Sequence, residues 1–186
     1  DFNISTNEKA KCNYSLDSGL TNYTMFTSDN RNFTAYNDSI SDGFYKVDFY
    51  CIDFVDNFDN VSRNFGVDTT FPLISIENAT EINNTNFTRD WIYVNISVEE
   101  DNVGNISFNL YNESGFVESD VYFNLTTENN FTNLDDDVYY YNVSVFDSAG
   151  NKNSTETRLI RLDLTNPDAD LISPENNTYT NNPVQN

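Results

Sequence analysis

Seventeen times in 186 residues an asparagine is followed two positions later by serine or threonine with no proline between. That spacing is the acceptor pattern for N-glycosylation, in which the side-chain amide takes the sugar. The acceptors are Asn3, Asn13, Asn22, Asn32, Asn37, Asn60, Asn78, Asn83, Asn86, Asn95, Asn105, Asn112, Asn124, Asn130, Asn142, Asn153 and Asn176. Random arrangement of the same residues gives about 6 such triplets, so composition does not account for them. In 12 of the 17 the middle residue is Ala, Val, Ile, Leu, Phe or Tyr. Alternate side chains of a strand face opposite ways. The middle residue then enters the core while the Asn and the hydroxyl face solvent. "YVNISV" turns Val94, Ile96 and Val98 inward and Asn95 and Ser97 outward. "NISFNL" does the same with Ile106, Phe108 and Leu110, and Asn13, Asn124 and Asn142 come out likewise. A face needing only polarity would take Lys or Glu as readily. The pattern predicts outer strand faces that carry covalent N-glycans.

The strands that must hold these residues are arranged in an internal repeat. "DGFYKVDFYCIDFVDN" (42–57) corresponds to "DDVYYYNVSVFDSAGN" (136–151), and "KCNYSL" (11–16) to "NISFNL" (105–110). "DTTFP" (68–72) returns as "DLTNP" (163–167). Tyr45, Val47, Phe49 and Cys51 share one strand face, as do Tyr141, Val143 and Val145, and Gly, Asn and Asp punctuate the strands. Short strands in units of this size indicate an antiparallel β-sandwich. The first unit lacks an opening: residue 1 already stands in "FNIS", which matches "VNIS" at 94–97. Residues 163–186 begin as the second unit begins and then stop. Two readings follow. Either the chain is one period of a longer tandem array, or separate copies join by donating the tail to the open sheet of the next, with an arbitrary chain boundary as the plain alternative.

Cys12 and Cys51 take positions whose counterparts, Ile106 and Val145, are both apolar. Paired replacement predicts contact, hence a cross-sheet disulfide and an oxidising, extracellular setting. Two Cys and no His argue against a metal centre held by these residues. The acidic stretches "EEDN" (99–102), "LDDD" (134–137) and "DNFDN" (56–60) could converge on Ca²⁺. None has the spaced calcium-loop pattern, and solvated charge is the commoner outcome. Trp91, at a strand start, is assigned to the core rather than to a sugar platform.

Thirty acidic against 9 basic residues argue against binding to nucleic acid or an anionic membrane. No apolar run is long enough for membrane insertion. Twelve Tyr and 15 Phe argue against disorder. No Ser–His or Cys–His pairing and no phosphate-cradling glycine loop exists, so the expectation is a non-enzyme without cofactors.

"SDGFYKVDFYCIDFVDN…VDTTFP" and "DDVYYYNVSVFDSAGNKNS…LDLTNP" resemble the tandem Ig-like repeat domains of prokaryotic, most similarly archaeal, cell-surface proteins. Such domains end a strand in a D-x-A-G-N turn and pass on through D-T-T-x-P. Asp56 in place of the turn glycine and Asn166 in the linker depart from that pattern. The resemblance implies an all-β chain of two tandem antiparallel Ig-like β-sandwiches at a cell surface; the repeat register adds that the first is completed by a C-terminal strand of the next copy. The divisions are 1–67, 68–165 and 166–186, the last an opening segment with Ile172, Tyr179 and Val184 as inward anchors. The function expected is a surface filament or stalk built of copies of the chain, head to tail. An adhesin or carbohydrate-binding module is the alternative.

Overall fold

The computed structural model describes residues 1–172, 179 and 181. Every regular element among them is a strand: β1 (Phe2–Ser5), β2 (Ala10–Ser15), β3 (Tyr23–Thr24), β4 (Asn32–Ala35), β5 (Gly43–Asp53), β6 (Phe58–Val67), β7 (Leu73–Ile76), β8 (Thr85–Phe87), β9 (Trp91–Glu99), β10 (Val103–Asn112), β11 (Gly115–Tyr122), β12 (Glu128–Thr132), β13 (Asp137–Asp147), β14 (Lys152–Ser154) and β15 (Arg158–Leu162). The period-two alternation explains them. Ile106, Phe108 and Leu110 of β10 and Tyr139, Tyr141, Val143 and Val145 of β13 are buried in alternation with outward residues.

The chain divides into two compact units. The first comprises Asp1–Pro72 with Glu100–Gly104 and Phe146–Asn153; the second comprises Leu73–Glu99, Asn105–Val145 and the chain from Ser154. In the first, β1 pairs antiparallel with β4, and a second sheet runs β3-β2-β5-β6. Phe33 and Ala35 of one sheet meet Cys12, Tyr14, Val47 and Phe49 of the other, with Phe2, Ile4 and Phe65 partly buried against them. In the second, β7-β9-β12 form one sheet and β11-β10-β13-β15-β8 the other, with β8 parallel to β15. Tyr141 is buried there and its hydroxyl donates to the Glu81 carbonyl at 3.2 Å. Burial pushes its pKa up to about 12.

Two acid-centred turns recur. Asp147 accepts from the backbone N–H groups of Ala149, Gly150 and Asn151, and from Asn151 Nδ2 at 2.7 Å. Burial alone would raise its pKa; those donors, Asn151 first, hold it below the ordinary carboxylate value. Asp53 repeats the arrangement with Val55 N–H, Asn57 N–H and Asn57 Nδ2. The departure noted at Asp56 leaves the turn intact, because Asp56 itself adopts φ 65° where Gly150 has 97°. Asp42 accepts from Thr69 N–H and from the Thr69 and Thr70 hydroxyls, and Asp136 accepts from Leu164 N–H and the Thr165 hydroxyl. Gly104 is required by proximity: a Cβ there would stand 2.5 Å from the Asp147 carbonyl oxygen.

Candidate functional site

The described acceptor asparagines lie on the surface. Of the 16 that are described, none is buried: Asn3, Asn22, Asn32, Asn60, Asn78, Asn83, Asn86, Asn124 and Asn130 are exposed, and Asn13, Asn37, Asn95, Asn105, Asn112, Asn142 and Asn153 are half-buried. Asn129, outside the pattern, is buried and bonded to Asp120 and Tyr122. The strand register holds at Tyr14, Phe33, Ile96, Ile106, Phe131 and Val143, all buried middle residues. It does not hold at Asn124. That residue lies between β11 and β12, and Leu125 is exposed, so the expected strand is a loop. Asn176 lies outside the described residues.

Cys12 and Cys51 form a disulfide, but not across the two sheets. They face each other on neighbouring antiparallel strands β2 and β5, with Cα atoms 4.2 Å apart. This spacing is that of the narrow antiparallel pair. Alternation alone shows that both side chains point inward; it does not tell a neighbour in one sheet from a residue facing it in the other. Trp91 is likewise only half-buried, and the Arg89 guanidinium stacks 3.6 Å from its ring and 3.9 Å from that of Phe87.

The three acidic stretches do not converge. Among the described residues the one group that could hold an ion joins Asp68, Glu100 and Asp147, each with a carboxylate oxygen within 4.8 Å of the others. Only Glu100 belongs to a stretch singled out by composition. Asp68 comes from the D-T-T-F-P segment and Asp147 from the D-S-A-G-N turn, so the group is invisible to a search for clustered acids. Hard oxygen ligands of this kind suit Ca²⁺, yet four N–H donors already engage Asp147.

The most distinctive geometry is an open edge in the first unit. There, β1 has β4 on one side and β6 has β5 on one side, with no further partner among the described residues. In the second unit β9 lies between β7 and β12, and β15 lies between β13 and β8. A trough of about 740 Å³ runs between β1 and β6, lined by Phe2, Ile4, Val61, Arg63, Phe65 and Val67. Val61 pairs with inward-facing Phe49 yet is 55% exposed. Ile172 and Tyr179 are exposed, and Val184 lies outside the described residues.

No known family's sequence pattern matches the chain, and no curated protein does. Among solved structures, the fibronectin(III)-like modules of Clostridium thermocellum CbhA align with a TM-score of 0.53 at 11% identity, over 86% of this chain and 83% of theirs. Dimeric latent PorU from Porphyromonas gingivalis aligns at 0.38 and 14% identity, over 82% of this chain and 16% of that one. A tetra-tandem repeat from the extending region of a large adhesion protein aligns at 0.38 and 14%, over 83% and 42%. This chain thus spans less than half of either of the last two. The fold is all-β, an Ig/fibronectin III-like β-sandwich.

Proposed function

We propose that this chain is a non-enzymatic structural repeat unit of a densely N-glycosylated extracellular filament or stalk, its copies joined head to tail through residues 166–186. The carrying observation is the open edge of the first unit, set against a tail whose sequence matches the opening of the second. The disulfide supports an oxidising compartment, and the surface position of the described acceptor asparagines supports their modification. A sugar coat and net charge of −21 would keep such fibres from associating through exposed edges. The reading takes 1–67 and 68–165 as the two Ig-like modules of an archaeal-type surface protein. Ile172, Tyr179 and Val184 anchor the tail.

Deletion of 166–186 tests it. The truncated chain is expected to sediment as a monomer and form no fibres by electron microscopy; filaments that persist would refute the assembly. Denatured, reduced material from the native source distinguishes the two forms of the proposal. One species at 21.3 kDa plus sugar means separate subunits, and a far larger one means a covalent array. A mass without excess removes the glycans.

A further inference from the structure

We infer that the trough of the first unit seats residues 171–178 of a second copy, paired with β1 in the register that β7 keeps with β9 within one chain. This rests on the head-to-tail reading above and adds the register and the locking residues.

Within the chain, β7 runs antiparallel to β9 with Ser75 opposite Ser97 and Ile76 opposite Ile96. The two serine Oγ atoms are 2.7 Å apart, and Glu77 N–H donates to the Asn95 carbonyl at 2.9 Å. Thr80 then closes the segment. It is buried, its hydroxyl donates to the Asn95 carbonyl at 2.5 Å, and it accepts from Asn95 N–H at 2.7 Å. Both halves of this arrangement recur in the sequence. "LISIENAT" (73–80) returns as "LISPENNT" (171–178), and the receiving "VNIS" (94–97) returns as "FNIS" (2–5). Superposing the halves sets Ser173 opposite Ser5, Ile172 at the place of half-buried Ile74, and Thr178 on the backbone of Asn3.

The described edge is prepared for this. Thr6 N–H donates to the Arg31 carbonyl, so the inward-facing residues of β1 bond to β4. By antiparallel alternation, Asn3 and Ser5 turn their N–H and C=O groups to the open side. Pro174 takes the place of Ile76. Because Glu77 belongs to a hydrogen-bonded pair, Ile76 does not, and a proline there removes no ladder bond. The site holds one more waiting group. Arg158 Nη1 donates to the Glu81 carbonyl, one residue past Thr80, at 3.0 Å. Its counterpart Arg63 lines the trough, and its guanidinium has no partner among the described residues. The Tyr179 carbonyl, one residue past Thr178, is its acceptor. A glycan on Asn176 does not obstruct seating, since Asn78 at the matching position is exposed.

The test mixes full-length copies carrying Ser5→Cys with copies carrying Ser173→Cys under mild oxidation. Displaced controls pair Ile4→Cys or Asn3→Cys with Ser173→Cys. The expected result is a covalent dimer at 5–173 in roughly tenfold excess over the controls, since a one-residue slip turns every side chain to the other face. Copies that associate by sedimentation but cross-link at a displaced pair, or at none, overturn the register while leaving head-to-tail assembly standing. Copies that do not associate at all remove both. With Asn176→Gln in both, so that the acceptor triplet is absent throughout, Thr178→Ser is expected to preserve association and Thr178→Val to weaken it at least about tenfold, as losing a bonded buried hydroxyl does; equal behaviour of the two removes the lock.

Discussion

Ile160 and Leu162 of β15 are 0% and 3% exposed, whereas Phe65 and Val67, their counterparts in β6, are only half-buried along an uncovered trough. The residue types and alternation are similar, so propensity does not separate the two strands. The difference is what lies beside them: β8 runs parallel to β15, and nothing described runs beside β6 on that side. Burial is thus a property of the neighbour as much as of the side chain. The first unit also carries a covalent tie: Cys12 and Cys51 stand where the second unit has Ile106 and Val145.

This comparison can be broken or sharpened by substitution. Phe108→Ala, in the closed core, should destabilise by about 3–5 kcal/mol in urea unfolding; Phe65→Ala, whose ring is only half-buried, should cost about 1 kcal/mol in the separate chain. A similar cost for both would mean that the first unit is as complete as the second. Replacing both cysteines by alanine removes a cross-link of sequence separation 39. The loop-entropy model gives a loss of about 4 kcal/mol, with roughly 2–4 expected in practice and confined to the first unit. Ile at 12 and Val at 51 should recover part of it through apolar contact.

Acid should affect both units. The carboxyls of Asp42, Asp53, Asp136 and Asp147 are all held below the ordinary value, Asp42 chiefly by the Thr69 hydroxyl and Asp136 by that of Thr165. A depressed folded-state pKa gives stability that is present above the unfolded value, near about 4, and is lost as pH falls through the folded value. Tm should therefore hold steady above about pH 5 and fall below about pH 4, less steeply once Asp42 and Asp136 are Asn. The smallest change is expected from Asp56→Gly, which relieves a left-handed residue but frees the unfolded chain, and should stabilise only slightly, by less than about 1 kcal/mol. Gly150→Ala should do the opposite.

Much of this was legible in the sequence because strand alternation reports facing directly. The inward sets of β10 and β13 and the outward acceptors at Asn95, Asn105 and Asn142 came from that rule alone. It failed where facing is not enough. Asn124 sits in a triplet whose Leu125 has no strand to point it inward. Asp48 alternates with the inward set of Val47 and Phe49, which alone would turn it to solvent, yet it is buried: Lys46 bridges to it at 2.6 Å and Ser15 lies opposite on β2. The grouping of Asp68, Glu100 and Asp147 depends on chain folding over separations that no local pattern encodes. The Asp turns were visible as motifs, although only the structure shows that Asp56 can serve in place of glycine.

The Cys12–Cys51 bond also has a mechanical consequence. A chain pulled from its ends transmits tension through the sulfurs, so the residues enclosed by the bond are shielded from load. The sequence separation of 39, at about 3.4 Å per residue, amounts to roughly 130 Å of length that unfolding of the first unit cannot release. Held in series, such a unit yields a short extension and stops, until a reductant releases the remainder.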